Sequence, residues 1–536
     1  MNRLQAIAAC VAVSVMVAAS AGMAGAVEPP SVPPGPAPAD PPPAPDQPMR
    51  QVAECTQTAV MPGSDVRELP AALQMMNMPA AWKESTGTGV VVAVIDTGVA
   101  PQPRLPHLVA GGDYVMGAYG DGLSDCDAHG TVVASLIGAA PAGAPLPREP
   151  RWAVSAPPPP GAPAPAPIPP PPPPPTVTVT STATVAPPPA PPQPEEAPAW
   201  ASSGRGVPIP LEPPPGGGPD GLIGVAPDAV LVSIRQTAQT FGLADPGIVQ
   251  NSEDVRRAGD INSLARAIVH AANLGAKVIN ISVVSCMPVT KQADQDALGA
   301  AMRYAAVDRD VVIVSATGNA GAQGCAQNPD PMPADRADRL GWDSVSTVAT
   351  PAWFSDFVLA VSATDDAGVP LTGQAASLHG PWVGIAAPGT TIVGLSTSGL
   401  VIDSSVDGDK LKPIAGSSFA SALVAGVAAL VRAKYPDLSA HQVIRRLQAT
   451  AHPPAGGRDT VVGCGVVDPV AALTWDVPPG DWLAPGVQMA PLHVPVPRPA
   501  PDPRPRWGAG VAALGSAALV ALLAWVVAVS RRRRQP

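Results

Sequence analysis

The segment VVVAVIDTGVA, residues 90–100, decides the predicted fold class. Its first six residues are apolar and rich in valine, which favours a fully buried strand over a solitary helix. The strand ends at Asp96, beside a threonine and a glycine. A carboxylate in this place either caps the next element or takes part in chemistry, and the segment alone leaves both interpretations open.

Strand-like and helical segments alternate along the rest of the chain. Four more segments resemble strands: VLVSIR (230–235), KVINISVV (277–284), DVVIVSAT (310–317) and FVLAVSAT (357–364). Two segments resemble helices: SLARAIVHAANLGA (263–276), with Gly275 as its C-terminal cap, and DALGAAMRYAAVDRD (296–310). This alternation predicts an α/β fold with a doubly wound parallel sheet and helices on both faces. Chemistry in such sheets occurs beyond the carboxyl ends of the strands, where Asp96 lies.

Both ends of the chain carry apolar segments. Residues 1–26 have one arginine, an apolar stretch and a small-residue end, which is typical of a secretory signal peptide, with an uncleaved anchor as the alternative. Residues 508–529 lack charges and are long enough to span ~30 Å of hydrocarbon, although a buried core helix has the same appearance. The basic residues that follow predict that 530–536 form a cytoplasmic tail. The body would then lie on the extracytoplasmic side of the cell membrane, tethered by a single pass.

Proline-rich blocks divide the chain into regions. The sequence has 536 residues, 74 of them proline, and a net charge of −10 without a basic domain, which gives nucleic-acid binding little support. We expect an N-terminal extension over 27–66, extended and mobile up to about residue 50, and a surface insertion over 141–219. The folded domain would span 67–475, and 476–507 would link it to the membrane helix.

The cysteines fit an extracytoplasmic location. Cys10 leaves with the signal peptide, and five remain: Cys55, Cys126, Cys286, Cys325 and Cys464. These can pair outside the cytoplasm, and the odd number leaves one free thiol or an intermolecular bond. Because no CxxC spacing occurs, the pattern does not favour a zinc site.

The D-T-G at Asp96 is compatible with two protease chemistries. An aspartic protease needs two carboxylates that share a proton, so a one-chain enzyme should contain a second D-T-G or D-S-G. Neither motif recurs, and the α/β pattern disagrees with an all-β fold, which leaves only a homodimeric version open. A serine protease would instead use Asp96 to orient a histidine base.

Three further motifs could complete a serine-protease site. His129 lies in DAHGTVVASLIGAA, before a helix of small apolar residues, and could be either a base or a helix cap. In IAGSSFASALVAGVAALVRAKYP, Ser417 or Ser418 opens an apolar helix and could be a nucleophile or a plain N-cap. Asn319, which ends VVIVSATGN, could donate to an oxyanion or simply form a turn.

The order of these motifs along the chain is their specific feature. Asp, His, Asn and Ser follow one another as in subtilisin-like proteases rather than chymotrypsin or α/β-hydrolases. From about residue 80 to 475 the sequence resembles the subtilase family in VAVIDTGV, HGTVVA, SATGN, IAAPGTTI and GSSFASALVAGVAAL. The signal peptide, the cysteine-containing extension, INISVVSCMP and the C-terminal membrane helix narrow the resemblance to the mycosins, the membrane-anchored subtilases of type VII secretion systems.

The resemblance implies a subtilisin-like sheet and a role for each motif. Catalysis would use Asp96, His129 and Ser418, with Asn319 in the oxyanion hole and Ser417 at the family's threonine position. The substrate-binding strand would be Ser282, Val283 and Val284, where the family usually has Ser-Leu-Gly. The disulfides would be Cys55–Cys126 and Cys286–Cys325, with Cys464 unpaired. Ala422 replaces the proline that the family usually has four residues after the serine.

The implied activity is hydrolysis of peptide bonds in secreted proteins. No metal or organic cofactor is required for acyl-enzyme chemistry of this kind. The resemblance also implies two partners, a protein or peptide substrate and the type VII secretion membrane complex. The alternative is a structural or gating component of that complex in which proteolysis is weak or dispensable.

Overall fold

The computed structural model describes residues 27–36, 38–144, 220–245, 252–322, 324–329, 341–487 and 504–532. The predicted signal peptide, most of the predicted insertion and half of the predicted linker lie outside these residues. The chain divides into two compact units, Met1–Val487 and Gln488–Pro536.

The first unit contains all of the strands. They are β1 (Met49–Gln51), β2 (Thr58–Ala59), β3 (Val91–Asp96), β4 (Leu108–Asp113), β5 (Val230–Arg235), β6 (Phe241–Leu243), β7 (Val278–Ile281), β8 (Ser285–Pro288), β9 (Val312–Ala316), β10 (Thr347–Thr350), β11 (Val358–Thr364), β12 (Val383–Pro388), β13 (Gly394–Leu395), β14 (Val401–Ile402), β15 (Ser404–Asp407) and β16 (Lys410–Pro413). Seven of them form the central sheet in the order β12-β11-β9-β7-β3-β5-β4, and every neighbouring pair is parallel.

Helices cover both faces of this sheet. The α-helices are α1 (Ala71–Met75), α2 (Met78–Ala81), α3 (His129–Gly138), α4 (Ser252–Asn273), α5 (Asp296–Arg303), α6 (Ser417–Lys434), α7 (Ala440–Ala449), α8 (Pro469–Thr474) and α9 (Arg504–Arg532). Along β3 the side chains alternate between two apolar cores, with Val92 and Val94 in the core beneath α3 and α6 and Ile95 in the core beneath α4 and α5. The predicted doubly wound α/β fold is confirmed.

The five predicted strands occur as β3, β5, β7, β9 and β11, whereas two strands of the sheet were not predicted. The edge strand β4 contains two consecutive glycines in LVAGGD, and β12 reads VGIAAP, so neither has the β-branched run of its neighbours. Helix α4 starts earlier than predicted and ends at Asn273, after which Gly275 adopts a φ of +87°. Glycine favours this left-handed conformation just past a helix end.

The N-terminal extension is held against the body along its length. Asp40 accepts hydrogen bonds from His270 and Asn273, each at 2.9 Å. β1 pairs with β6, and β2 pairs with β15. The expectation of a mobile leader up to about residue 50 is therefore wrong, because ion pairs and strand pairing replace the core that a proline-rich segment cannot form.

The packed part of the first unit continues to Val487, into the predicted linker. Gln442 and Ser439 near the start of α7 donate hydrogen bonds to the backbone oxygens of Gly480 (3.0 Å) and Trp482 (2.7 Å). Residues 476–487 are therefore docked on this helix.

The second unit contains helix α9. Ala512–Arg532 is long and apolar enough to span a membrane, and none of its most apolar window is buried in protein. Helix α6 meets the same length and hydropathy test, but 89% of its window is buried, as expected for the core helix of a folded domain.

Candidate active site

The three central strands of the sheet place polar residues at one edge. β9, β7 and β3 are neighbours, and all three run in the same direction. Asp96 ends β3, Ser282 follows β7, and Asn319 follows β9 after a short turn. Carboxyl ends of parallel strands meet at one edge, so the predicted site residues are brought together there.

Asp96 and His129 form a hydrogen-bonded pair. Asp96 is fully buried, and its Oδ1 lies 2.7 Å from His129 Nδ1 and accepts the Thr97 N–H at 2.7 Å. Position 130, next to the histidine, requires glycine, because a Cβ there would lie 2.1 Å from the Gly98 oxygen. The imidazole is 30% exposed on its open side, so it is both held by a carboxylate and accessible.

The charges around His129 change its proton affinity. Burial alone would lower the pKa of the imidazole, but Asp96, together with Asp125 and Asp127, outweighs burial and raises this pKa above its ordinary 6.5. The carboxylates therefore stabilise the imidazolium form, which is the form a general base adopts after taking a proton.

Ser418 lies in the first turn of α6 and is 8% exposed. Its Oγ donates to the Ser282 oxygen at 2.9 Å, and it has no hydrogen bond to His129 among those of the described residues. The next residue, Phe419, contacts the imidazole with a ring-centroid distance of 5.2 Å. The residue after the serine thus packs on the imidazole, and the serine hydroxyl is directed toward the strand end of β7.

Asn319 is fixed by its oxygen and leaves its nitrogen open. Its Oδ1 accepts the Ser417 N–H and the Ser417 hydroxyl, both at 3.0 Å. Its Nδ2 donates no hydrogen bond within the described residues and is not among the buried polar atoms. The amide therefore presents a free donor at the first turn of α6.

The segment Ser282–Val284 leaves the sheet after β7 and lies between Ser418 and a disulfide. Ser282 Oγ accepts a hydrogen bond from Asn280 at 2.6 Å, and Val283 and Val284 are half-buried. A Cβ on Gly318 would lie 3.4 Å from Val284 and 3.3 Å from the sulfur of Cys286, so the two walls of the cleft approach closely here.

The cysteine pairs in the structure are Cys55–Cys126 and Cys286–Cys325, with Cα–Cα distances of 4.6 Å and 4.9 Å. Cys464 is free, and burial raises the pKa of its thiol. Among the described residues, no group of three His, Cys, Asp or Glu side chains could hold a metal ion.

The residue patterns did not identify Asp125, although it contacts residues that closely follow Asp96 and His129 in sequence. It accepts hydrogen bonds from Thr97 and Thr131. In sequence it stands in SDCDAHG, where two aspartates flank a cysteine, and such a pattern is typical of a solvated loop. The only available signal was its position four residues before a candidate base.

Comparisons with known proteins show the family of this chain. The profile of the subtilase family matches residues 210–465, a range that includes Asn319 and Ser418. Mycosin-5 of Mycobacterium tuberculosis is 49% identical over 95% of this chain and 93% of its own length. Mycosin-2 of the same organism is 52% identical over 90% of each chain.

The chain belongs to the mycosins.

Solved mycosin structures extend this similarity to the fold. A crystal structure of MycP1 from Mycobacterium smegmatis has a TM-score of 0.68 at 38% identity, with 87% of this chain and all of that chain covered. A chain in the periplasmic assembly of the ESX-5 inner membrane complex has a TM-score of 0.69 at 46% identity, with 88% and 100% covered. This mycosin is therefore a subtilisin-like serine protease of the type VII secretion family, as the motifs predicted.

Proposed function

We propose that this mycosin is a membrane-anchored endopeptidase in which Asp96, His129 and Ser418 form the catalytic triad. The observation that carries the proposal is the 2.7 Å contact between a fully buried Asp96 and the Nδ1 of a partly exposed imidazole. Phe419 packs on that imidazole, which supports a position of the preceding serine near the same histidine.

The first step is proton removal from Ser418. With its Nδ1–H donated to Asp96, His129 presents the lone pair of Nε2 to the nucleophile. Ser418 Oγ now donates to the Ser282 oxygen, so a rotation about χ1 must turn the hydroxyl toward Nε2 before attack. The alkoxide then adds to the peptide carbonyl, and the imidazolium returns its proton to the leaving amine.

The oxyanion that forms during attack needs donors that are already in place. Asn319 Nδ2 is free, and the Ser418 backbone N–H has no acceptor among the described residues. The partial positive charge at the N-terminus of α6 would also stabilise the oxyanion. We assign oxyanion stabilisation to this pair, since fixed donors require no reorganisation as charge develops.

The peptide substrate would lie along Ser282, Val283 and Val284, which follow β7 in the cleft next to Ser418. The two valines replace the Leu-Gly of the family pattern, and Val284 approaches Gly318 on the opposite wall. This close approach supports a narrow pocket for the side chain before the cleaved bond, so small side chains should be preferred there.

Labelling with a fluorophosphonate probe tests the triad without a known substrate. The full chain in detergent should be labelled, and Ser418→Ala should abolish labelling. Ser421→Ala is the matched control, because Ser421 lies on the same helix and its hydroxyl bonds only to the backbone of α6. Labelling that persists in Ser418→Ala, or its absence from the unaltered chain, would refute the proposal.

We further propose that the chain acts within a type VII secretion membrane complex. Homologous chains are found in the ESX-5 inner membrane complex, and α9 is apolar enough for a membrane span. The catalytic unit would face the extracytoplasmic side, with the basic tail in the cytoplasm. If a deletion strain complemented with Ser418→Ala secretes normally, the chain's place in the complex is separate from proteolysis.

A further inference from the structure

Asp125 contacts the residues that follow both members of the Asp96–His129 pair. Its Oδ1 accepts the Thr97 hydroxyl at 2.8 Å, and Thr97 directly follows Asp96. Its Oδ2 accepts the Thr131 N–H at 2.8 Å and the Thr131 hydroxyl at 2.6 Å, two residues after His129. One carboxylate therefore joins the end of β3 to the first turn of α3.

The same network is closed by the Thr97 hydroxyl. Besides donating to Asp125, Thr97 Oγ1 accepts the Gly130 N–H at 2.9 Å. The two residues that follow His129 are therefore both fixed by hydrogen bonds, Gly130 to Thr97 and Thr131 to Asp125. Asp125 is 8% exposed, and a buried carboxylate with three donors fixes their positions more firmly than water would.

We propose that Asp125 is a positioning residue for the reaction: it holds His129 at the distance and angle to Asp96 at which the imidazole can take the proton of Ser418. The inference rests on the proposed function of the triad. Asp125 does not contact the substrate, and it acts through Thr97 and Thr131. Loss of its carboxylate leaves three donors without their acceptor. It also releases the end of β3, which carries Asp96, and the first turn of α3, which carries His129.

The position of Asp125 also connects the pair to the N-terminal extension. Asp125 directly precedes Cys126, which is bonded to Cys55 of the extension. The Cys126 oxygen accepts the Thr56 N–H at 2.8 Å. The extension is thus joined to the loop that carries the positioning carboxylate.

Ionisation of Asp125 gives this role a measurable signature. Burial raises the pKa of Asp125 to about 6, against the opposing effect of its hydrogen bonds from Thr131 and Thr97. The ionisable groups that act on this carboxyl or on His129 are Asp96 and Asp127. Below pH 6 both Asp125 and His129 are protonated, so the labelling rate should fall more steeply with decreasing pH than protonation of His129 alone would make it fall.

The test measures the second-order rate constant of fluorophosphonate labelling from pH 5 to 8 in the full chain. Asp125→Asn should lower the constant at pH 8 by about tenfold to a hundredfold, because small displacements of a catalytic base are costly. Its acid limb should have a slope near one and move to lower pH, because a negative charge beside the imidazolium is gone. Asp121→Asn is the matched control, since Asp121 lies in the same segment but is exposed.

A second pair of variants tests the same inference if Asp125→Asn folds poorly. Thr97→Val removes the hydroxyl at constant shape and should slow labelling, whereas Thr97→Ser keeps the hydroxyl and should restore the rate. Wild-type labelling rates in both Asp125→Asn and Thr97→Val, or slower labelling of Asp125→Asn with an unchanged pH profile, would overturn the inference. An unaltered chain that is not labelled would refute the proposed function and this inference with it.

Discussion

The amide group of Asn319 accepts hydrogen bonds through its oxygen and, in the proposed function, donates one through its nitrogen. Its oxygen accepts two hydrogen bonds from Ser417, and its nitrogen remains available to a substrate. The acceptor fixes the side chain, so the donor is oriented before any charge develops. Because the two roles belong to different atoms, a substitution can remove one of them and keep the other.

Asn319→Asp should lower the labelling rate constant by about 10²- to 10³-fold, the cost of losing one oxyanion donor. The carboxylate keeps the acceptor for Ser417 but removes the N–H donor. The protein should therefore keep its thermal unfolding midpoint, which is measured in parallel. A rate within threefold of the unaltered chain would assign oxyanion stabilisation to other groups.

The pKa of His129 predicts the acid limit of activity. Asp96 and its acidic neighbours raise this pKa above 6.5. The imidazole is therefore neutral, and able to act as a base, only when the pH exceeds this raised value. In a profile of labelling rate against pH, the midpoint of the acid limb should lie above 6.5. In Asp96→Asn burial dominates, so the limb should move to lower pH while the rate falls by about 10⁴-fold. A midpoint that does not move would contradict this account of the raised pKa.

At the scale of elements, the turn before α6 determines where Ser418, the proposed nucleophile, lies. Gly416 precedes the helix with a φ of +145°, and its N–H donates to the Gly389 oxygen at 2.8 Å. A Cβ at this position would lie 2.9 Å from Asn319 Nδ2. Glycine is required there by both the backbone conformation and the close approach of the amide.

Gly416→Ala should slow labelling at least tenfold and lower the free energy of unfolding by about 1–3 kcal/mol, the usual cost of a strained backbone conformation. Gly408→Ala is the control, because Gly408 has a φ of +61° but an added Cβ meets no atom within 4 Å. It should lose stability and keep its labelling rate. Normal labelling of Gly416→Ala would show that the asparagine can shift without loss of function.

Sequence reasoning succeeded where local pattern determines structure. The apolar runs placed Asp96 and Asn319 after buried strands, and both lie at the same edge of the sheet. Asp125 could not be found in this way, because its partner Thr97 is 28 residues distant and strand β4 lies between the two in sequence. The ordered extension was missed for the same reason, since Asp40 meets His270, 230 positions later.

At the scale of the whole molecule, the chain is a catalytic unit followed by an apolar helix. The sequence alone could propose the spanning segment, because an uncharged stretch of this length has few other uses. Which side of the membrane each end occupies depends on the basic residues after the helix.

Cysteine accessibility tests this topology in spheroplasts, in a Cys464→Ser background. Gln535→Cys should react with a membrane-impermeant maleimide only after permeabilisation, because the basic tail stays in the cytoplasm. Asp409→Cys, at the exposed turn between β15 and β16, should react in intact spheroplasts. Reaction of Gln535→Cys without permeabilisation would reverse the proposed orientation.

The pairing of β2 with β15 has a consequence for how the chain is made. The Met61 N–H donates to Asp403, 342 positions later, so the ribosome must add the intervening residues before the two can meet. At bacterial synthesis rates this interval is roughly 20–70 s. A nascent chain shorter than about 400 residues should therefore leave β2 without its partner strand, while Cys55–Cys126 and the pairing of β1 with β6 hold the rest of the extension.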